Sequence, residues 1–310
     1  MVKSKRVVVW ITVIVGVLIL VLVGATALYG KSLLDKVEKV EINKENVGIK
    51  EEVEEKISQY DNKVTNIALF GIDAEDGGIG RSDSIMVATL DTENKKLKLS
   101  SIMRDSYVDI EGHGTDKINH AYAFGGAELA IKTLNQNFDL NIEDFVAVNF
   151  TTMPQIIDKI GGITVDITSE EVPHIEGIDS EGTYNLTGDQ ALAYSRIRYA
   201  TGGDYVRTER QRTVLSKMFE KILNMNPIKY PGLLNEILPM VKTSLTSSEI
   251  LELGSEVIAI GSPSLEQERF PLDGYCEGKM INEVYYLTFD KEATVNQMHE
   301  YIFEDKKVWE

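Results

Sequence analysis

The sequence predicts an α/β fold in which helices cover a mixed sheet, preceded by one transmembrane helix. Two observations predict the fold. Short apolar runs bounded by turn residues alternate along the chain with segments whose apolar residues recur at helical spacing. The last part of the chain, residues 226–310, also follows without a linker and is counted with the same domain. The transmembrane helix rests on a third observation. Residues 7–30 are apolar or small, with no charge among them. At 1.5 Å per residue they reach roughly 36 Å, enough for a hydrocarbon core of about 30 Å.

Lys3, Lys5 and Arg6 precede that run, so residues 1–6 are expected to stay in the cytoplasm and the remainder to face outward. A cleaved signal peptide is the alternative, but the run is long for one and Ala25-Thr26-Ala27 is a weak cleavage signal. Residues 31–64 carry charge and a helical pattern (Leu33, Leu34, Val37, Val40, Val53, Ile57), which reads as a stalk.

The domain is expected over residues 65–310. Residues 66–71 read as a buried strand, and 84–90 and 97–103 as a hairpin turning at Asn94-Lys95-Lys96. A helix follows over 120–138, on Ala123, Ala127, Ala130, Leu134 and Phe138. Then come a strand at 145–150, a helix at 152–160 stopped by Gly161-Gly162, and a strand at 163–167. Residues 187–193 read as helix and 195–199 as extended. Helices over 204–224, 232–242 and 248–260, and a strand or two near 268–270, complete the pattern.

Composition removes several functions. The formal net charge of −17 opposes a nucleic-acid partner, whose phosphates need a basic face. The single cysteine, Cys276, permits no internal disulfide and no zinc-finger spacing, and reads as a packed thiol. His113, His120, His174 and His299 form no metal-ligand pair and read as loop or helix-surface residues. No nucleophile elbow, P-loop or zinc-peptidase motif is present.

The cations are more informative. Lysine occurs 23 times, but arginine only nine. Seven arginines fall at Arg81, Arg104, Arg196, Arg198, Arg207, Arg210 and Arg212. The planar guanidinium fork suits phosphate and carboxylate. Asp73 ends one strand, while Arg81 and Asp83 open the next. Two carboxylates meeting at a sheet edge, with phosphate oxygens, would make a magnesium environment; the bland reading is a glycine loop with surface acids. Met103-Arg104-Asp105 ends the following strand, and Lys117 precedes a helix start, where it would add to an anion site. Arg196 and Arg198, read as extended, would project side by side. On the following helix Arg207 and Gln211 share a face. Five arginines within 17 residues of an acidic chain point to a diphosphate or polyphosphate ligand rather than a surface salt-bridge network.

These residues also carry a resemblance. Gly71-Ile72-Asp73, Arg81-Ser82-Asp83-Ser84, Met103-Arg104-Asp105, Lys117 through Gly126 (KINHAYAFGG), Gly161-Gly162-Ile163 and Leu186 through Arg198 (LTGDQALAYSRIR) resemble the LytR–CpsA–Psr family in order and spacing. The likeness is dense over 65–225 and fainter beyond. It departs at Met103, where the family usually has proline, and in a short loop between Asp73 and Arg81.

The resemblance implies an α/β/α sandwich around a central mixed sheet, on the outer face of a bacterial membrane. It implies a magnesium-dependent phosphotransferase that moves a glycopolymer, such as teichoic acid or capsule, from a polyprenyl diphosphate to peptidoglycan. Carried over by motif, Asp73 and Asp83 hold magnesium. Arg81, Arg104, Lys117, Arg196, Arg198, Arg207 and Gln211 grip the diphosphate. Asp73, Arg104, Asp204 and Arg207 act at the reacting centre. Asp73, Asp105 and Asp204 are all candidate bases, and Ala121, Tyr122, Phe124 and Phe150 are candidates for a prenyl groove, with ordinary core as their bland reading. Two rival functions stand beside it: a polyprenyl-diphosphate phosphatase, which would use the same residues, and a non-catalytic regulator that binds lipid-linked glycan, which loss of Asp73 or Asp83 would have favoured.

Overall fold

The computed structural model describes residues 36–60, 64–74, 80–197, 203–226, 229–260 and 264–307. The apolar segment 7–30, called as a transmembrane helix, lies outside them. Among the described residues no helix is long and apolar enough to cross a membrane.

A seven-stranded sheet forms the centre. Its strands are β1 (Glu38–Lys39), β2 (Val64–Asp73), β3 (Arg81–Asp91), β4 (Lys96–Ile102), β7 (Asp144–Asn149), β10 (Val241–Thr243) and β11 (Ser264–Phe270). They lie in the order β1-β10-β7-β2-β3-β4-β11. The β2–β3–β4 meander is antiparallel, and β7 and β11 join it in parallel on either side. The mixed sheet expected from the sequence is therefore present. Three two-stranded sheets surround it: β5 (Tyr107–Ile110) with β6 (Gly114–Lys117), β8 (Ile163–Ile167) with β9 (Gly182–Leu186), and β12 (Cys276–Ile281) with β13 (Val284–Phe289).

Strand alternation assigns each face. Ala68, Phe70 and Ile72 of β2 and Ile85 and Val87 of β3 point to one side. There they pack with Ile131, Leu134 and Phe138 of α2 (His120–Phe138) and Met298, Tyr301 and Ile302 of α8 (Lys291–Ile302). Full burial of each such aliphatic side chain contributes about 1.5–3 kcal/mol. The other face is covered by α3 (Met153–Lys159), α4 (Gly188–Arg196) and α5 (Gly203–Leu223). These share a second core of Ile157, Ile160, Tyr194 and Val214 with β8 and β9. Helices α6 (Tyr230–Ile237) and α7 (Ser247–Ile260) complete the C-terminal half.

Three expectations are corrected. Residues 36–60 are not a stalk standing off the domain. β1 pairs with β10, helix α1 (Glu51–Ser58) follows, and Val37, Val47 and Val53 are buried at 5%, 1% and 4% exposure. Arg196 is helical rather than extended. A capping box starts α4, with Thr187 and Gln190 satisfying each other's backbone N–H groups, and the helix runs through Arg196. His299, read as a surface residue, is buried in α8 at 1% exposure.

Candidate functional site

The C-terminal ends of β2, β4, β7 and β11 and the N-terminal end of β3 meet at one edge of the sheet, and the predicted motifs gather there. Asp73, the last residue of β2, pairs with Arg81, the first of β3. The chain returns to β3 through Gly80, where a Cβ would lie 2.3 Å from the Asp73 carbonyl oxygen, so the close approach needs glycine. Two residues later the register shifts. Gly71 faces Ser84 but Ile72 faces Ser82, which leaves Asp83 as the extra residue of a bulge. A bulge re-aims its side chain.

The Asp83 carboxylate is held at both oxygens. Arg104 donates to Oδ2 from Nη1 at 2.5 Å, and Asn119 donates to Oδ1 from Nδ2 at 2.9 Å. From there charge alternates along a part-buried chain. Arg104 Nε lies 3.5 Å from Asp105 Oδ2, and Lys117 Nζ lies 2.7 Å from Asp105 Oδ1. Lys117 ends β6, three residues before α2 begins at His120 as expected, and its partner is this carboxylate. Beside it, His120 Nδ1 meets Asp116 Oδ2 at 2.8 Å. Burial opposes ionisation of Asp116, but the hydrogen bonds from His120 and the Lys117 amide outweigh it, and its carboxyl stays below the ordinary range.

On the far side of β2, Asp73 keeps half its side-chain surface in solvent. Arg196 Nη2 stands 3.6 Å from its Oδ1. The Arg196 guanidinium also lies over the Phe150 ring, 5.6 Å from its centroid. Arg196 occupies the last turn of α4, where a cation suits the helix dipole.

The α5 arginines divide by role. Arg207 is 4% exposed, one turn before Gln211. Arg210 is structural: its Nε donates to Glu171 Oε1 at 2.6 Å and its Nη1 to the Ile197 carbonyl at 3.3 Å. Burial and the Glu171 charge push the adjacent Tyr194 phenol up to about 12. Arg212 is also buried, and burial lowers its pKa. Asp204 falls in the first turn of α5, with its side chain outside the description. Arg198 lies outside the described residues, although the Arg210–Ile197 bond anchors the position before it.

Between this edge and the α5 layer lies an apolar cavity of about 130 Å³. Leu69, Val148, Phe150, Met153, Leu215 and Met218 supply most of its wall. At one side Gly71, Ser84, Ser195 and Gln211 connect it to the charged edge. Of the four groove candidates only Phe150 lines it. Ala121 and Tyr122 pack in the α2 core, and Phe124 is 44% exposed and stacked on His113. Sequence reading missed Leu69, Val148, Leu215 and Met218 because lining a cavity and filling a core demand the same side chains. Asn119 lay inside a recognised motif, but only the fold brings it to Asp83. Nothing in the sequence ties Glu171 to Arg210.

A mixed sheet between helical layers, with a charged edge opening beside an apolar cavity, defines a protein shaped for a ligand that is anionic at one end and apolar at the other. The chain belongs to the LytR_cpsA_psr family, whose pattern it matches over residues 31–302. A polyisoprenyl-teichoic acid–peptidoglycan teichoic acid transferase TagU of Enterococcus faecalis is 36% identical over 264 residues, covering 81% of this chain and 83% of the relative. Regulatory protein MsrR of Staphylococcus aureus is 31% identical, covering 81% of this chain and 79% of the relative. Among solved structures, the LytR-CPS2A-psr family protein YwtF (TagT) with bound octaprenyl pyrophosphate lipid superimposes with a TM-score of 0.62. It is 26% identical, covering 80% of this chain and 91% of that one.

Proposed function

We propose that this protein transfers a glycopolymer from a polyprenyl diphosphate carrier to peptidoglycan and releases polyprenyl phosphate. The observation that carries this is the junction of the apolar cavity with the charged sheet edge at Gly71, Ser84, Ser195 and Gln211. A prenyl tail suits the cavity, and its diphosphate then falls among Arg81, Arg104, Lys117, Arg196, Arg198 and Arg207, with Gln211 at the join. The relatives' names support the same chemistry. In this reading residues 7–30 anchor the chain, residues 1–6 lie in the cytoplasm, and the domain works at the outer surface of a bacterial membrane.

In the reaction a sugar hydroxyl of the acceptor attacks the glycan-bearing phosphorus. The bond to the prenyl phosphate breaks, and that phosphate leaves with the electron pair. Arginines already in place around the diphosphate receive the redistributed charge with little reorganisation. Lys117 and Arg104 engage both oxygens of Asp105, which makes it a positioning group. Asp73 and Asp204 remain as acceptors of the hydroxyl proton.

Asp73 and Asp83 suit magnesium. Asp73 is half exposed, and each Asp83 oxygen accepts one protein hydrogen bond, leaving a further lone pair. Magnesium commonly binds one or two carboxylates plus substrate phosphate oxygens. When bound, it supplies charge neutralisation at the phosphates.

The test mixes the full chain with prenyl-diphosphate glycan, magnesium and peptidoglycan, and follows prenyl phosphate and attached glycan together. Attachment that a chelator stops is expected. Prenyl phosphate without attachment would instead indicate a phosphatase. Donor binding without turnover would indicate a regulator, the role in the name of the MsrR relative.

A further inference from the structure

The β12–β13 hairpin stands beside the charged edge without contributing to the diphosphate grip. Its root is fixed. Leu287, 1% exposed, donates its amide to the Asp105 carbonyl at 2.8 Å, and Phe289 stacks on Phe138 with centroids 5.7 Å apart. Its far end projects, turning through Asn282 and Glu283, both at positive φ. That end carries Tyr285, 44% exposed, next to Met280, 66% exposed. Tyr286 sits against Tyr107 with centroids 4.7 Å apart. The ammonium of Lys117 lies 5.8 Å from the Tyr286 ring centre and 6.0 Å from that of Tyr285, while bonded to Asp105. The Tyr285 ring also lies across Gly278: a Cβ there would stand 2.7 Å from the ring. The phenol is thus a plate set in position by a missing side chain and flanked by a lysine of the diphosphate grip.

Placement indicates the occupant. In phosphoryl transfer the attacking and leaving oxygens lie roughly in line across the phosphorus. The prenyl leaving group belongs to the cavity on the α5 face. Phe289 joins the core on the opposite, α2 face, and so do Val108 and Ile110 of β5. An acceptor approaching opposite the leaving group therefore arrives on the hairpin side. The exposed surface suits a saccharide. A tyrosine ring presents a rigid, amphipathic contact face at low entropic cost. Lys279 and Glu277, exposed and ion-paired at 3.2 Å on the Tyr286 face of the paired strand, can bond hydroxyl and acetamido groups of a saccharide that wraps the hairpin edge.

We propose that the Tyr285–Tyr286 end of this hairpin is the acceptor platform, receiving the peptidoglycan glycan strand whose hydroxyl takes the transferred group. The proposal rests on the transferase reading above and adds where the acceptor lies.

The test is a calorimetric titration of the full chain in detergent with a soluble, teichoic-acid-free peptidoglycan tetrasaccharide. A parallel titration uses the prenyl-diphosphate donor. Tyr285→Ala is expected to weaken the tetrasaccharide about tenfold, and Tyr285→Trp to restore it, with donor affinity shifted less than about twofold. Gly278→Ala keeps the phenol but displaces its ring, and is expected to weaken the tetrasaccharide in the same direction. Unchanged tetrasaccharide affinity in Tyr285→Ala would overturn the proposal. So would an equal loss of donor affinity, which would place the donor's own sugar there. Lost binding to phospholipid vesicles with tetrasaccharide affinity retained would make the hairpin a membrane contact and would also overturn it. A protein that binds the tetrasaccharide through Tyr285 yet transfers nothing would defeat the transferase reading and leave the platform standing.

Discussion

Arginine serves two purposes within one short stretch of this chain, and the difference is readable in each side chain's partner. Arg210 is buried with Glu171, the two side chains 5% and 6% exposed. Removing one partner of such a pair leaves a charge without compensation, at about 3–5 kcal/mol. Arg196 stands half in solvent beside Asp73. Arg210→Ala is therefore expected to lower the urea unfolding midpoint strongly. Arg196→Ala should leave the midpoint in place and depress transfer by more than about tenfold. Equal midpoints for the two variants would contradict this division. Asp83→Asn tests the bulge: it removes the countercharge of Arg104 but keeps an acceptor for Asn119. It should cost about 2 kcal/mol and also abolish transfer. The pairings behind these effects were hidden in the sequence, where Arg207, Arg210 and Arg212 read as one cluster. Partners as distant along the chain as Glu171 are chosen by tertiary packing alone.

Among the elements, α8 shows how a late segment secures the domain. His299 donates from Nε2 to the Asp139 carbonyl at 2.6 Å, and its Nδ1 is 3.4 Å from the Tyr60 hydroxyl, so the neutral ring joins α1, α2 and α8. Burial, then the charge of Lys56, holds its pKa below the ordinary 6.5. A base with a depressed folded pKa binds fewer protons folded than unfolded, so stability rises with pH across that interval. The contribution is complete above 6.5 and is lost as pH falls from there through the lower folded value. Thermal midpoints measured across that range should decline on acidification, and His299→Gln should flatten the decline. A wild-type midpoint constant through the window would count against it.

The elements differed in legibility. Strands β2 and β7 and helix α2 were plain because each buries one face at its own period, and β3 and β4 because they are short apolar runs buried on both faces. Residues 36–60 were misread because charges cover their outer side, while the residues that reach the core (Val37, Val47 and Val53 buried; Ile42, Ile49 and Ile57 partly so) are spread thinly among them. The hairpin Cys276–Phe289 was missed because it projects. Met280, Val284 and Tyr285 are apolar yet exposed, so no inside–outside alternation marks the strands.

For the whole molecule, the sheet acts as a partition. One face carries the main core, the other carries a cavity, and the charged edge serves both. Filling the cavity should separate binding from folding. Leu215→Trp is expected to reduce affinity for a prenyl diphosphate by more than about tenfold, while overpacking costs at most about 1–3 kcal/mol of stability. Retained donor affinity in a folded variant would place the tail elsewhere. Family motifs made the charged edge legible in the sequence, but the cavity was not. Packing of α3, α4 and α5 on β2, β3 and β7 decides whether apolar side chains meet or leave space, and no residue pattern records that.

The most direct measurement is to photocrosslink the full chain with a prenyl diphosphate carrying a diazirine in its tail, and to map the adducts by mass spectrometry. Adducts within residues 146–153 and 211–218, suppressed by unlabelled prenyl diphosphate, are the predicted result. Adducts on the α2 face, within residues 120–134, or labelling that unlabelled lipid does not suppress, would contradict a single ligand lying with its tail in the cavity and its diphosphate at the charged edge.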